Sequence, residues 1–465
     1  MSATPAAPPS TSERAATGVA ARRITPLEAH AEWSPPSGRD PVADLERQAA
    51  ERDPTLTPIR HARMAASPFA CYRGAALTMA LDVVDTPRSG FDVQLCGDAH
   101  LSNFGLFGSP ERHLLFDVND FDETAAGPWE WDLKRLVASI EIAARGNAFR
   151  HKERRAATLA TVREYRETMA AFAGRSMLDI WYTRFSVDEM LPEFQDAIDP
   201  VTTPSIAHAI DRARRHDHHQ AFAKLATVSH GELRIAADPP LIVPIGDLAS
   251  EVPEDALRQM LTAATDDYLA SLAPHHRRLL ASYRLADFAR KVVGVGSVGT
   301  QAWIALFLDR DQADPLFLQI KEAQASALEV ALGTAVFEHH GQRVVAGQRL
   351  MQSASDIFLG WSRSPVAGRE IDYYVRQLRD WKGSAEIERM TPAGISVFGR
   401  MCGWTLARAH ARSGDRVAIA AYLGDTDAFD RALLAFAETY ADQAEADHRA
   451  VVDAVASGRL TASEA

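Results

Sequence analysis

Cysteine is scarce in this chain. Cys71, Cys96 and Cys402 are the only three among 465 residues, and they are far apart without CxxC spacing. That excludes a disulfide framework and a cysteine-built zinc site, and it suits a reducing cytoplasm. Long apolar runs are also missing. No stretch approaches the roughly 18 apolar residues of a membrane span, so a membrane partner is not expected. Nor is there a basic excess: 62 acidic residues outnumber 50 lysines and arginines, for a net charge of −12. A duplex DNA binder shows a basic face, so nucleic acid is not an expected partner. The basic cluster at 212–215 sits among acids and histidines and reads as a solvated helix face. The first 21 residues, rich in Ala, Pro, Ser and Thr, lack a basic start followed by an apolar stretch, which excludes a secretion signal. Residues 1–40 read as a disordered tail and linker.

What the chain does have is apolar content. Hydrophobic residues make up 46% and charged residues 24%, enough for a large core divided among two or three subdomains. Residues 41–290 read as a mostly helical lobe that carries two short strands, at 91–95 and 113–120. Residues 291–381 change texture. The run KVVGVGSVGTQAWIALFL and then LFLQIK place glycines between β-favouring residues, which predicts a hairpin followed by a third strand. A helix is predicted over 325–339, and short strands over 356–361 and 370–375. Residues 382–465 return to helical periodicity. The fold class is therefore α+β, with a helical lobe and a smaller β-rich one.

The densest chemistry lies in CGDAHLSN, residues 96–103. A strand ends at Gly97, and the loop presents Asp98, His100, Ser102 and Asn103. Phosphoryl transfer needs a carboxylate that orients the acceptor hydroxyl and takes its proton, and it needs oxygen ligands for Mg²⁺. An Asp followed by an Asn on one tight loop offers both. The next acidic segment, FDVNDFDE, supplies Asp117, Asp120, Asp122 and Glu123. Alternation along an extended strand would put Asp120 and Asp122 on one face and Asp117 on the other. GPWEWDLKRL then turns into a helix.

Gly294, Gly296, Ser297 and Gly299 form a GxGxxG segment. Strand-like flanks on both sides suit a loop over nucleotide phosphates, although a plain tight hairpin reads equally well. A Rossmann fingerprint would open a helix instead. Lys321 closes LFLQIK, inside an apolar run where a lysine needs an anion. Kinases hold the α and β phosphates with such a lysine, paired to a helix glutamate. Glu329 is the first choice for that partner, and Glu338 is the alternative.

GDAHLSN resembles the loop of aminoglycoside and choline phosphotransferases, and more distantly that of protein kinases. The resemblance implies that Asp98 is the catalytic base, that Asn103 and Asp120 bind Mg²⁺, and that Asp132 is a structural acid at a helix start. The spacing from Asp120 to Gly127 fits that pattern, whereas Asp117 does not. The histidine that usually precedes Gly-Asp is Cys96 here. The nucleotide segment follows the catalytic loop instead of preceding it, so a kinase-like fold would be circularly permuted. GWTLARAH, residues 403–410, resembles the helix that precedes the catalytic loop in small-molecule kinases. Segments from RMAASPFACYRGAA through YADQAEADH identify the chain as a member of the bacterial domain-of-unknown-function family numbered 2252. The name implies no chemistry, so function rests on the residues above.

The expected activity is ATP- and Mg²⁺-dependent phosphotransfer to a small-molecule acceptor, with Asp98 and His100 as catalytic candidates. The net negative charge would suit a cationic acceptor. Arg73 is a candidate phosphate contact. Three other readings remain open: nucleotidyl (AMP) transfer in the same cleft, a metal-dependent hydrolase using Asp98, His100, Asp117 and Asp120, and a catalytically inactive nucleotide-binding protein. The acceptor and the oligomeric state are not legible.

Overall fold

The computed structural model describes residues 9–192, 202–215, 224–229, 232–248, 264–292, 298–311, 314–366, 369–378 and 383–463, together with Phe222 and Trp381. Helix and antiparallel sheet are mixed throughout. Among the described residues no helix is long and apolar enough to cross a membrane.

The expected disordered tail is helical from Thr11 onward. Helix α1 (Thr11–Ile24) starts on a capping box between Ser10 and Glu13. It lies against the Arg416–Leu423 helix so closely that a Cβ at Gly18 would sit 2.1 Å from the Ala418 carbonyl oxygen. Periodicity misses this helix because its inward face is built of alanine and glycine, which carry little hydrophobic signal. Beyond it, His30 is buried with Nε2 2.6 Å from the Tyr422 hydroxyl. Four short helices follow: α2 (Pro41–Ala49), α3 (Thr57–Ala65), α4 (Pro68–Arg73) and α5 (Ala76–Val83). Ser67 caps α4, so Pro68 starts that helix and does not kink it.

The next strands carry the acidic segments. They are β1 (Asp92–Leu95), β2 (Phe104–Gly108), β3 (Leu114–Val118) and β4 (Ala125–Pro128). β1 pairs with β4, and β2 pairs with β3, both antiparallel. Helix α6 (Glu130–Gly146) is buried along nearly its whole length, including Glu130, Asp132, Lys134 and Arg135. It is a central core helix, packed by α7 (His151–Ala173) and by the later helices Pro392–Ser413 and Ala428–Ala456. Gly403 lets the Pro392–Ser413 helix approach α7 at Thr161, where a Cβ would lie 2.5 Å from the carbonyl oxygen.

The region read as helical up to residue 290 contains strands: β5 (Ala226–Ser229), β6 (Glu232–Ile235), β7 (Ile242–Pro244) and β8 (Arg284–Lys291). The block from 253 to 263 lies outside the described residues. β8 continues with β9 (Ala302–Leu308), β10 (Pro315–Glu322), β11 (Gly360–Val366) and β12 (Arg369–Gln377). With β7 they form a six-stranded antiparallel sheet in the order β11-β12-β10-β9-β8-β7. Of the predicted hairpin and third strand, β9 and β10 fall where expected, whereas β8 lies almost wholly in the stretch read as helical. A short β13 (Gly383–Ser384) joins β2 and ties the two regions. The helix predicted over 325–339 is only Ala327–Leu332. Gly333 ends it at φ 65°, and a second helix begins at His340.

Register fixes what each face of the large sheet carries. Lys321 pairs with Ala302 and Tyr374, and Gln319 pairs with Ile304 and Arg376. Paired residues share a face, so Lys321, Gln319, Phe317, Ile304, Leu306 and Arg376 point one way. The opposite face carries Leu316, Leu318, Ala305 and Phe307, covered by Tyr268, Leu272 and Leu280.

Candidate functional site

The loop between β1 and β2 is held in shape by groups behind it. Asp132, in the first turn of α6, accepts from the backbone N–H of Cys96 at 2.8 Å and of Gly97 at 3.0 Å. His410 Nε2 stands 3.3 Å from the same carboxylate, and its Nδ1 lies 2.9 Å from the Tyr165 hydroxyl. Gly97 has φ 84°, and a Cβ there would lie 2.1 Å from the Glu123 carbonyl oxygen. The loop therefore packs backbone to backbone on the acidic turn after β3, which only glycine permits.

Arg135, one helical turn after Asp132, brackets Asp98. Its Nε and Nη2 lie 2.8 and 2.7 Å from Oδ1, and Nη2 also donates to the Tyr72 carbonyl. The guanidinium stacks 3.9 Å from the Tyr72 ring centre. Oδ2 of Asp98 faces His100 Nε2 at 3.5 Å. Burial pushes the His100 pKa down to about 4, with Arg135 and Arg73 acting in the same direction and Asp98 against it. His100 is therefore a neutral imidazole at neutral pH. Asn103 donates its side-chain N–H to the Asp98 carbonyl at 2.7 Å, which leaves its amide oxygen as the available ligand atom. Cys96 is fully buried, and burial pushes its thiol well up, so it is no nucleophile.

The acidic segment after β3 divides by environment. Asp117 is 1% exposed and accepts from Arg408 at 2.8 Å and from Ser353. It faces the core, so a hydrolase site joining Asp98, His100, Asp117 and Asp120 is not assembled. Asp120 and Asp122 face Lys321, whose Nζ lies 3.5 Å from Asp120 and 2.8 Å from Asp122. Burial opposes the charge on Lys321, yet the two aspartates outweigh it and hold its pKa above the ordinary lysine value. Glu123 accepts from the Ala327 N–H at 2.6 Å, at the start of the Ala327–Leu332 helix. Among the described residues no cluster of three or more His, Cys, Asp or Glu forms a ready-made metal cage.

Glu329 does not meet Lys321. It accepts from the Ser326 N–H in a capping box and lies 3.4 Å from Arg343. Glu338 lies in the loop after Gly333, and its carbonyl accepts from Arg363. The aspartates supply the countercharge, since Glu329 is taken up by the Ser326 cap and Arg343. Gly294, Gly296 and Ser297 lie outside the described residues. Gly299 has φ 90°, and its carbonyl accepts from the Asp53 N–H at 2.8 Å. Arg52 donates to the adjacent Val298 carbonyl at 2.6 Å. The end of the glycine segment is thus anchored on the segment before α3.

A cavity of about 310 Å³ joins the two acidic segments. Asp98, His100, Asn103, Asp120, Asp122, Glu123 and Glu322 line it, together with Glu51 and the arginines Arg47, Arg52, Arg60 and Arg73. Sequence reading overlooked Arg60, Arg135, Arg343 and Arg376. Arg343 donates to the carbonyls of Thr124, Asp122 and Gln324. Arg376 donates to the Asn119 carbonyl at 2.8 Å. Their one signal was an arginine set within apolar periodicity, as in WDLKRL. Beside Lys321, the apolar face of the sheet is already covered. Leu225, just ahead of β5, and Ile235, at the end of β6, pack on Ile304, Leu306, Phe317 and Leu378.

A family model for uncharacterized proteins conserved in bacteria, DUF2252, matches residues 52–454. The chain belongs to this family. No curated protein and no solved structure matches the DUF2252 chain. The matched span begins at Arg52 and so takes in Arg52, Arg60 and Arg73 of the cavity as well as the acidic loop.

Proposed function

We propose that this DUF2252 protein transfers the terminal phosphoryl group of ATP to a small-molecule hydroxyl, through a kinase-like cleft whose two halves occur in permuted order. The observation that carries the reading is the approach of Lys321 to Asp120 and Asp122, two aspartates that share one cavity with Asp98 and Asn103. A phosphate-gripping lysine on the third strand after a glycine turn, opposite an Asp-x₄-Asn loop and a further aspartate, is the set that phosphoryl transfer by positioning uses. A second observation supports the permutation. The Gln94 N–H of β1 donates to Ser413 Oγ at 3.1 Å, at the end of the Pro392–Ser413 helix. The chain thus reaches the catalytic loop in space just where that helix stops.

The donor set suits Mg²⁺, which takes one or two carboxylates and fills its sphere with phosphate oxygens and water. Asn103 and Asp120 would hold it, and it would offset the charge that develops on the phosphate in the transfer. Lys321 releases the aspartates and grips the nucleotide phosphates. Asp98, oriented through Oδ1 by Arg135, aligns the acceptor hydroxyl with Oδ2 and takes its proton. The acceptor oxygen bonds to the γ-phosphorus as the bond to the β–γ bridging oxygen breaks, leaving ADP. The base has no open apolar slot beside Lys321 while Leu225 and Ile235 cover it, so that hairpin has to shift for adenine to stack there.

The test is a thermal shift with Mg·ATP, coupled to product analysis. At a hundredfold excess over Kd, ligand binding adds about 2.7 kcal/mol of stability. Lys321→Ala and Asp120→Asn remove that shift, and Asp98→Asn keeps it while turnover falls by about 10²–10⁴-fold. Release of pyrophosphate in place of ADP would replace phosphoryl with nucleotidyl transfer. The absence of any nucleotide shift in the wild type would end the kinase-like reading.

A further inference from the structure

The cavity contains arginines that the transfer chemistry above does not use. Arg60, on α3, is 1% exposed. Its Nη2 donates to Gln48 Oε1 and to the Gly74 carbonyl, each at 2.8 Å. Its Nε and Nη1 are buried and meet no acceptor, and no carboxylate pairs with it among the described residues. Arg73, at the end of α4, likewise has a buried Nε without a partner. Both line the cavity that also holds Asp98 and His100. A guanidinium stays charged under all ordinary conditions and presents a planar fork of donors. Burying one with neither countercharge nor acceptor is costly, and a bound anion removes that cost.

Position indicates which anion. Lys321 faces Asp120 and Asp122 at the sheet, where the nucleotide phosphates belong. Arg73 is placed by the acidic loop instead, where its charge acts on His100. It follows Tyr72, whose carbonyl and ring hold Arg135, and Arg135 in turn orients Asp98. Arg60 is tied to the same turn through the Gly74 carbonyl.

We infer that Arg60 and Arg73 form an oxyanion subsite for the acceptor, so that the substrate carries a phosphate-type group as well as the hydroxyl that is phosphorylated. This assignment of the acceptor rests on the phosphotransferase reading. It reverses the cationic acceptor suggested by net charge, because the countercharge inside the pocket, and not the total over the surface, selects the ligand. Forked donors on a tetrahedral oxyanion give it geometry as well as charge.

Titration calorimetry with inorganic phosphate on the full chain, with and without saturating Mg·ATP, tests the inference. The wild type is expected to bind phosphate at millimolar concentration or better. Arg73→Met is expected to weaken that binding roughly tenfold or more, and Mg·ATP is expected to leave it unchanged. Arg60→Met should act the same way, but its buried contacts make folding a concern. The half-buried Arg73 variant, checked for an unchanged melting temperature, therefore decides. No phosphate binding by the wild type, or equal binding by a folded Arg73→Met, overturns the subsite. Displacement of phosphate by Mg·ATP assigns the arginines to the nucleotide and overturns the acceptor role. If Mg·ATP does not bind but phosphate does, and Arg73→Met loses it, the subsite stands and the phosphotransferase reading falls.

Discussion

Gly97 carries a heavier demand than any acid in the cleft. Its φ of 84°, and a Glu123 carbonyl oxygen that an added Cβ would meet at 2.1 Å, show how closely the loop after β1 packs on the acidic turn. Gly97→Ala should destabilise the fold by about 2–3 kcal/mol, read by denaturant unfolding. His100 gives a second prediction, in pH. Its folded pKa of about 4 lies below the ordinary value of 6.5. Between those values the unfolded chain binds a proton that the folded one does not, so acidification from pH 6.5 to 4 removes stability. His100→Gln should flatten that part of the curve, measured as unfolding free energy at fixed temperature. A variant with the same acid slope as the wild type would show that other groups dominate it.

Among the elements, the β5–β6 hairpin bears most on the proposed nucleotide binding. It sets Leu225 and Ile235 over Ile304, Leu306 and Phe317, the apolar face that a base would need. Leu225→Asp should expose that face and tighten Mg·ATP binding, by roughly tenfold if the covered state outweighs the open one by that ratio. Looser or unchanged binding would show that the hairpin supports the face without competing for it. The sequence did not announce this hairpin, since short strands of alternating character inside helical periodicity leave little signal. β9 and β10 were readable because β-branched and aromatic residues concentrate there after the glycines, whereas β8, with Phe288 as its one aromatic and no β-branched residue, read as helix. The Asp98, Asn103 and Lys321 triplet was readable because each needs an unusual residue in a marked context. The lysine's partner was not, because whether Glu329 or an aspartate reaches Nζ depends on what else holds Glu329, and the Ser326 cap and Arg343 take it up. Arg60 was equally hidden: in a helical pattern a buried arginine looks like a solvated one.

At the scale of the whole molecule, the two ends of the chain close one helical body. Arg14 pairs with Asp415 at 2.7 Å, and the Ser463 N–H donates to the Pro58 carbonyl at 3.2 Å. Deleting residues 1–24 removes α1 from the Arg416–Leu423 helix and should lower the melting temperature by several degrees. The cleft lies elsewhere, so phosphate binding by the folded fraction should be unchanged. A truncated chain that melts like the full one would mean that α1 only rests on the surface.

That closure also orders events during synthesis. The acidic loop emerges early, but the groups it leans on emerge late: Arg408 against Asp117 and His410 beside Asp132. A nascent chain that stops before the Pro392–Ser413 helix carries every carboxylate of the cleft, with Asp132 and Arg135 already beside the loop but without Arg408 and His410. Contacts this distant in sequence form slowly. The first-made segment therefore gains its last supports only when nearly the whole polypeptide has left the ribosome.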